Sequence, residues 1–238
     1  MYKKFFRLML WEFEEIWRLP TPEIIAGIAI FFGLSTTVSI GITPYLDLKF
    51  TISKLFLFQM LIVAVLFARS IAGCIEKREI LTLFTHPVRR NSVLASKFLT
   101  NLTLTFTIFG SILITRALLM YTEPWNTTVL IALLTLFIQT LFLSTISLII
   151  SLITKKTWAA MLLVIIFFFA IMSALPQLEP PLKYLFPTYG ADVTFDCLAK
   201  GFTQYTLEDF TVALGFPIST SIIFLLASFT YFKRMQVD

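Results

Sequence analysis

From Thr127 to Ile153 the chain runs without one charged side chain. A stretch of that length and character has few places to go. A helix needs roughly 20 mainly apolar residues to cross about 30 Å of hydrocarbon, and inside a bilayer only a helix or a closed barrel satisfies its own backbone. Five further stretches meet the requirement: 22–41, 53–74, 98–120, 158–175 and 211–232. The chain is 58% hydrophobic and 14% charged over 238 residues, where soluble domains hold about 45–50% and about 25%. Its mean hydropathy is +0.87. A soluble fold of this size has no interior large enough for that apolar surface. The expected fold is an all-α integral membrane protein with six transmembrane helices, forming a single transmembrane domain over 1–238.

The basic residues give the expected orientation. With six spans both termini lie on one face, together with the 75–97 connection and the 154–157 turn. That face holds Lys3, Lys4, Arg7, Arg18, Lys77, Arg78, Arg89, Arg90, Lys97, Lys155, Lys156, Lys233 and Arg234, with Arg69 just inside the membrane. The other face holds only Lys49, Lys54, Arg116, Lys183 and Lys200. The positive-inside rule then places both termini in the cytoplasm of a multi-pass plasma-membrane protein. The net charge of +5 tracks membrane edges, which argues against a nucleic-acid partner. Acidic residues and the lack of a small-residue cleavage site make residues 2–19 unlike a cleavable signal. They read instead as an amphipathic helix on the membrane surface. Phe5, Phe6, Met9, Leu10, Phe13, Ile16 and Trp17 share one face, and Lys3, Lys4, Arg7, Glu14, Glu15 and Arg18 the other, with Trp11 out of place. Pro20 ends that helix, and Thr21, Pro22 and Glu23 suit the start of the first span.

The connections are unequal. Residues 176–210 form a long outer loop rich in apolar and aromatic residues, expected to carry one or two short helices against the outer membrane surface. Cys74 and Cys197 fall on opposite faces and are not expected to pair. Asn126-Thr127-Thr128 is a formal glycosylation triplet of a kind common by chance. The 75–97 segment is the unusual one. "EKREILTLFTHPVRRNSVLASK" holds seven charged side chains and the single histidine, His86. Ile80, Leu83 and Phe84 share one side of a short helix, Pro87 stops it, and a second amphipathic turn leads to Lys97. A helix–proline–helix hairpin of this kind suits docking against a partner protein.

What is missing narrows the chemistry. There is no G-x-x-x-x-G-K-[ST] loop for ATP, no His/Cys cluster for a metal and no Ser–His–Asp arrangement, so an intramembrane enzyme is disfavoured. Arg69 and Arg116 are the ionisable groups inside the expected spans, each near an edge and able to snorkel to water. The absence of buried acids there disfavours a self-contained proton- or sodium-coupled transporter. Small polar residues recur at helical spacing: Thr100, Thr103, Thr107 and Gly110 in the third span, and Ser144, Ser147 and Ser151, with Gln139 above them, in the fourth. Such stripes serve close helix packing or line a path or dimer interface; Thr103, Thr107, Gln139, Ser144 and Ser147 are the candidates. Pro217 kinks the sixth span. Phe167, Phe168 and Phe169 read as lipid-facing or packing residues.

The charged segment and the topology together resemble the permease subunits of type-2 ABC transporters, the exporter-type class. That family commonly carries, after the second span, an E-x-x-G-E/T run, a leucine-rich half-turn, then P-[VI]-x-R and a lysine before the third span. Glu76, Glu79, Leu81, Leu83, Pro87, Val88, Arg90 and Lys97 follow that pattern. Arg78 departs from it, standing where glycine is frequent.

The resemblance implies a permease subunit without its own ATPase and with no cofactor on this chain. ATP and Mg would sit on a separate ATP-binding subunit, usually in two copies. A second permease copy, identical or related, would complete the complex. The hairpin would be the coupling helix seated on the ATPase, with Glu76, Glu79, Leu83, Phe84, His86, Pro87, Arg89 and Arg90 at the contact. ATP hydrolysis would then drive alternating access for an exported substrate that the sequence does not select. The alternative is a non-transport, ABC-like membrane scaffold or regulator that anchors a partner.

Overall fold

The computed structural model describes residues 2–17, 27, 30, 31, 44–79, 90–120, 126–174, 183 and 187–235. Most of the expected first span, 22–41, lies outside the described residues. So does the middle of the charged connection, including Leu83, Phe84, His86, Pro87 and Arg89. Every regular element among the described residues is helical. α1 is Tyr2–Trp17. α2 is one continuous helix made of Pro44–Phe67, a π-helical stretch Ala68–Gly73 and a last turn Cys74–Glu76. α3 is Arg90–Met120, α4 Thr127–Thr154, α5 Thr157–Ala174, α6 Pro187–Lys200 and α7 Leu207–Arg234. α2, α3, α4 and α7 are long and apolar enough to cross a membrane, and α5 is a shorter apolar helix. The protein has the character of a membrane-embedded one.

α4 is the axis of the bundle, packed against α2, α3, α5, α6 and α7. It feeds both large apolar clusters. One surrounds Leu48, Leu55, Phe109, Leu136 and Phe195, at the end where α2 begins. The other surrounds Phe67, Phe98, Leu148, Leu152 and Phe168, at the end where α2 finishes. These are called here the Asp47 end and the Glu76 end. α7 is the least buried of the long helices, with Ile222, Ile223 and Leu226 all more than half exposed, as a lipid-facing helix requires. Of the three consecutive phenylalanines, Phe168 is buried edge-on against Phe56 while Phe167 and Phe169 point outward.

Local chemistry sets the helix ends. Asn126 caps α4. Thr206 and Asp209 close a reciprocal capping box at the start of α7. α4 ends on Lys155 in the left-handed conformation, φ 55°, and α5 starts two residues later. Pro44 occupies the first position of α2, where its missing N–H costs nothing, and Asp47 in the first turn suits the positive helix end.

Several boundaries differ from the sequence expectation. α2 begins at Pro44 rather than near 53, so most of the supposed outer loop 42–52 is helix. Its charges mark a loop only if they face water; Asp47 and Lys49 instead meet Arg116 and Asp196. α3 begins at Arg90 rather than Phe98, which shortens the charged connection and puts Lys97 inside a helix, where it pairs with Glu12. α6 falls within the long connection expected at 176–210. It is wedged among α2, α4 and α7, burying Ala191, Val193, Thr194, Phe195 and Cys197. Arg116 does not snorkel to water. It is 2% exposed and bonded through Nε and Nη2 to both carboxylate oxygens of Asp47, at 2.8 and 2.7 Å. An acidic residue therefore does lie within the bundle.

Candidate functional site

Two groups of residues stand apart from ordinary packing. The first anchors the charged connection. α2 ends as Lys77 and Arg78 donate to the carbonyls of Gly73 and Ile75. Arg78 then takes φ 59°, the left-handed conformation that glycine adopts at least cost. Just before it, the Glu76 carboxylate accepts both the backbone N–H and the hydroxyl of Thr157, at 2.9 and 2.7 Å. It thereby caps α5 from a different helix, where the helix dipole favours an anion. On the far side of the connection, Arg90 opens α3 and donates from Nη1 to the carbonyl of Met235, just past α7, at 3.0 Å. Glu79 accepts from the Cys74 thiol at 3.5 Å.

Thus the two helix ends that flank the connection are tied to further helices, Glu76 to the start of α5 and Arg90 to the residue after α7. The π-helical stretch Ala68–Gly73 lies one short turn before Glu76 and widens α2 by one extra residue in the turn. Ser70 in that stretch accepts from the Asn101 amide of α3 at 2.6 Å, and Gly73 lies so close to α5 that a Cβ there would meet the Thr157 hydroxyl at 3.3 Å. π-helical turns inside longer helices are frequent at functional sites. α1 is fixed to the same end: Glu12 and Lys97 are both almost wholly buried and meet at 2.7 Å. Phe6, Leu10, Trp11 and Phe13 of α1 stay exposed, so the misfit Trp11 lies beside its apolar neighbours, and Glu12 turns inward.

The second group is a polar seam through the bundle. Gln59 of α2 donates to Thr140 of α4 at 2.8 Å. Thr145 of α4 reaches Ser221 of α7 at 3.5 Å. Around these pairs Gln139, Ser144, Ser147 and Ser151 line α4, all buried, and none of their side-chain polar atoms has a hydrogen-bond partner among the described residues. Thr103 and Thr107 do not join this seam. They are exposed on α3, with Thr107 bonded back to the Thr103 carbonyl.

α6 is held by its acids. Asp196 accepts from the Tyr45 hydroxyl and from Lys49 at 2.6 Å, and Asp192 accepts from Ser53 at 3.0 Å. Phe195 stacks on the Tyr45 ring, which Lys200 covers from 3.9 Å. Burial pushes the Asp192 carboxyl above its ordinary range, partly offset by the Ser53 hydroxyl and Lys49.

Sequence reasoning missed Glu12, Asp47, Gln59, Asn101, Asp192 and Asp196 as structural partners. Gln59 and Asn101 carried a usable signal, an amide in the middle of an apolar stretch. No protein-family model matches the chain, and neither does any curated protein.

Proposed function

We propose that this chain is the membrane subunit of an ATP-driven transporter, receiving mechanical work from a separate ATP-binding subunit through the connection between α2 and α3. In this reading six helices span the plasma membrane, both termini are cytoplasmic, and a second permease copy completes the complex. The observation that carries it is the double tie of that connection, Glu76 to Thr157 and Arg90 to Met235. A partner pressing on residues 77–89 would displace α2, α3, α5 and α7 together. A connection serving only to join two spans has no need of links to two others. The left-handed turn at Arg78 fits the same reading, because it supplies the backbone form expected where the resembling permeases place glycine. The polar seam on α4 supplies an interior that can rearrange or pass a polar group, and Thr103 and Thr107 offer an exposed hydroxyl face for a second copy.

The test is functional and has two arms. The protein purified from its native membranes should bring an ATP-binding subunit with it, and the complex in liposomes should hydrolyse ATP. Replacing Glu79, Arg89 and Arg90 with alanine should leave membrane insertion intact while abolishing stimulated turnover. Normal coupled turnover in that triple variant would sink the proposal. An ATPase that co-purifies but whose turnover answers to no solute or lipid would favour the scaffold alternative.

A further inference from the structure

Gln139 is buried to 2% exposure on α4, and neither its amide nitrogen nor its amide oxygen has a partner among the described residues. A helical serine or threonine can turn its hydroxyl back to its own helix, as Thr140 does to Leu136 and Thr145 to Phe142. Glutamine brings two N–H donors and an acceptor, and these must be met from across the bundle. Gln139 faces a cavity of about 10 Å³ that it shares with Thr135 of α4, Thr194 of α6, and Ala213 and Pro217 of α7. Pro217 has no N–H, so the Ala213 carbonyl four residues earlier loses the amide it would otherwise receive. Gln139, whose amide lacks partners, and Ala213, whose carbonyl is deprived of its donor, thus border the same small space. The Thr135 hydroxyl, already donating to Ile131, still has a lone pair to offer there.

We propose that this cavity is a binding site for one water molecule, which accepts from Gln139 Nε2 and donates to the Ala213 carbonyl and the Thr135 hydroxyl. The volume suits one water and excludes anything larger, and a buried water typically makes about three hydrogen bonds. Such a water joins α4 to α7 at Pro217, next to α6. A bridge of this kind lets the two helices shift while their polar groups stay satisfied, because the water reorients where a direct bond would break. The inference does not depend on ATP-driven transport.

The experiment uses the full chain in lipid nanodiscs. A structure at a resolution that shows ordered water should reveal density within hydrogen-bond distance of Gln139 Nε2, lost in Gln139→Leu. Thermal unfolding supplies the second arm. Gln139→Leu should lower the midpoint by roughly 2–4 °C in the native background. In Pro217→Ala, where the Ala213 carbonyl regains its own amide donor, the same substitution should cost clearly less. Gln139→Met carries the same comparison if the leucine variant does not fold. Gln139 Nε2 found directly on the Ala213 carbonyl, with no density between them, would overturn the proposal. So would a dry cavity with equal rises in midpoint for Gln139→Leu in both backgrounds.

Discussion

Replacing Asp47 with asparagine should be among the most damaging conservative changes available to this protein. The substitution keeps the size of the side chain and removes its charge. Arg116 would then lose the carboxylate that faces it at 2% exposure. The native contact is a two-pronged one at 2.8 and 2.7 Å, with side-chain exposures of 2% and 8%, so water can do little to replace the lost partner. Breaking a buried pair on one side costs about 3–5 kcal/mol, which shifts the folded-to-unfolded ratio more than a hundredfold. Asp47 lies in the first turn of α2 and Arg116 near the end of α3, so each also faces the helix pole that favours its charge, about 0.3–1 kcal/mol apiece. Reversible unfolding in mixed micelles, followed by tryptophan fluorescence, measures the loss. The double change Asp47→Leu with Arg116→Met should recover most of it, since an apolar replacement removes both desolvation costs. The exposed Lys77–Glu79 pair at 4.0 Å, 71% and 47% exposed, provides the control; Lys77→Ala should change stability by less than about 1 kcal/mol. An Asp47→Asn variant within about 1 kcal/mol of the native protein would refute the claim that this pair is shielded from water.

Arg78→Gly should stabilise the protein by up to about 1 kcal/mol, because it relieves a side chain held at φ 59°; a loss measured in the same micelle assay would show that the arginine makes a contact outweighing the strain. Lys97→Met should leave Glu12 buried without its 2.7 Å partner and release α1, read as faster proteolysis between α1 and the rest of the chain, whereas unchanged protection would show that apolar contacts hold α1 alone. Burial, with Tyr189, Asp196 and Asp192 nearby, pushes the Tyr205 phenol up to about 12. The unfolded chain ionises it first, near 10, so stability should fall as pH rises from about 10 to 12. Tyr205→Phe should flatten that fall, and an ultraviolet titration placing the phenol at its ordinary value would remove the basis for it.

The long apolar stretches were legible because length and missing charge decide membrane helices almost without reference to neighbours. Their ends were less legible: α4 begins at Thr127 as expected, but the box formed by Thr206 and Asp209 went unread and the last span was expected from 211 rather than Leu207. Charge at a helix end misled the reading twice. Asp47 and Lys97 resemble solvent-facing residues until the partner is known, and the partners, Arg116 and Glu12, lie 69 and 85 residues away. Helix periodicity carries no information over that distance. The α4 side of the candidate seam was visible, because Gln139, Ser144 and Ser147 share a helical spacing. The α3 side was not: Thr103 and Thr107 follow the same spacing, yet they face outward. Spacing identifies a shared face and leaves open what that face meets.

The distribution of polar groups along the bundle follows from the solvent. In water, burying a leucine between helices is rewarded by roughly 1.5–3 kcal/mol; in lipid the surroundings are as apolar as the side chain, and helices associate through close packing and hydrogen bonds. Strong ties are therefore most effective where they are placed, and here they sit at the two ends. Asp47–Arg116 and Lys49–Asp196 bind one end, and Glu12–Lys97, Glu76–Thr157 and Arg90–Met235 the other. Between them Gln59 donates directly to Thr140 at 2.8 Å, and the other polar contacts described there are weaker and replaceable: a 3.5 Å approach of Thr145 to Ser221, serine hydroxyls able to bond either to their own helix or across it, and a proline that has no backbone N–H to donate. Firm ends around a polar centre that can exchange its bonds at low cost is the arrangement expected of helices that tilt against one another about fixed anchors. On the proposed transport reading, the hinge would lie at the level of Gln139 and Pro217, and the lever at the connection between α2 and α3.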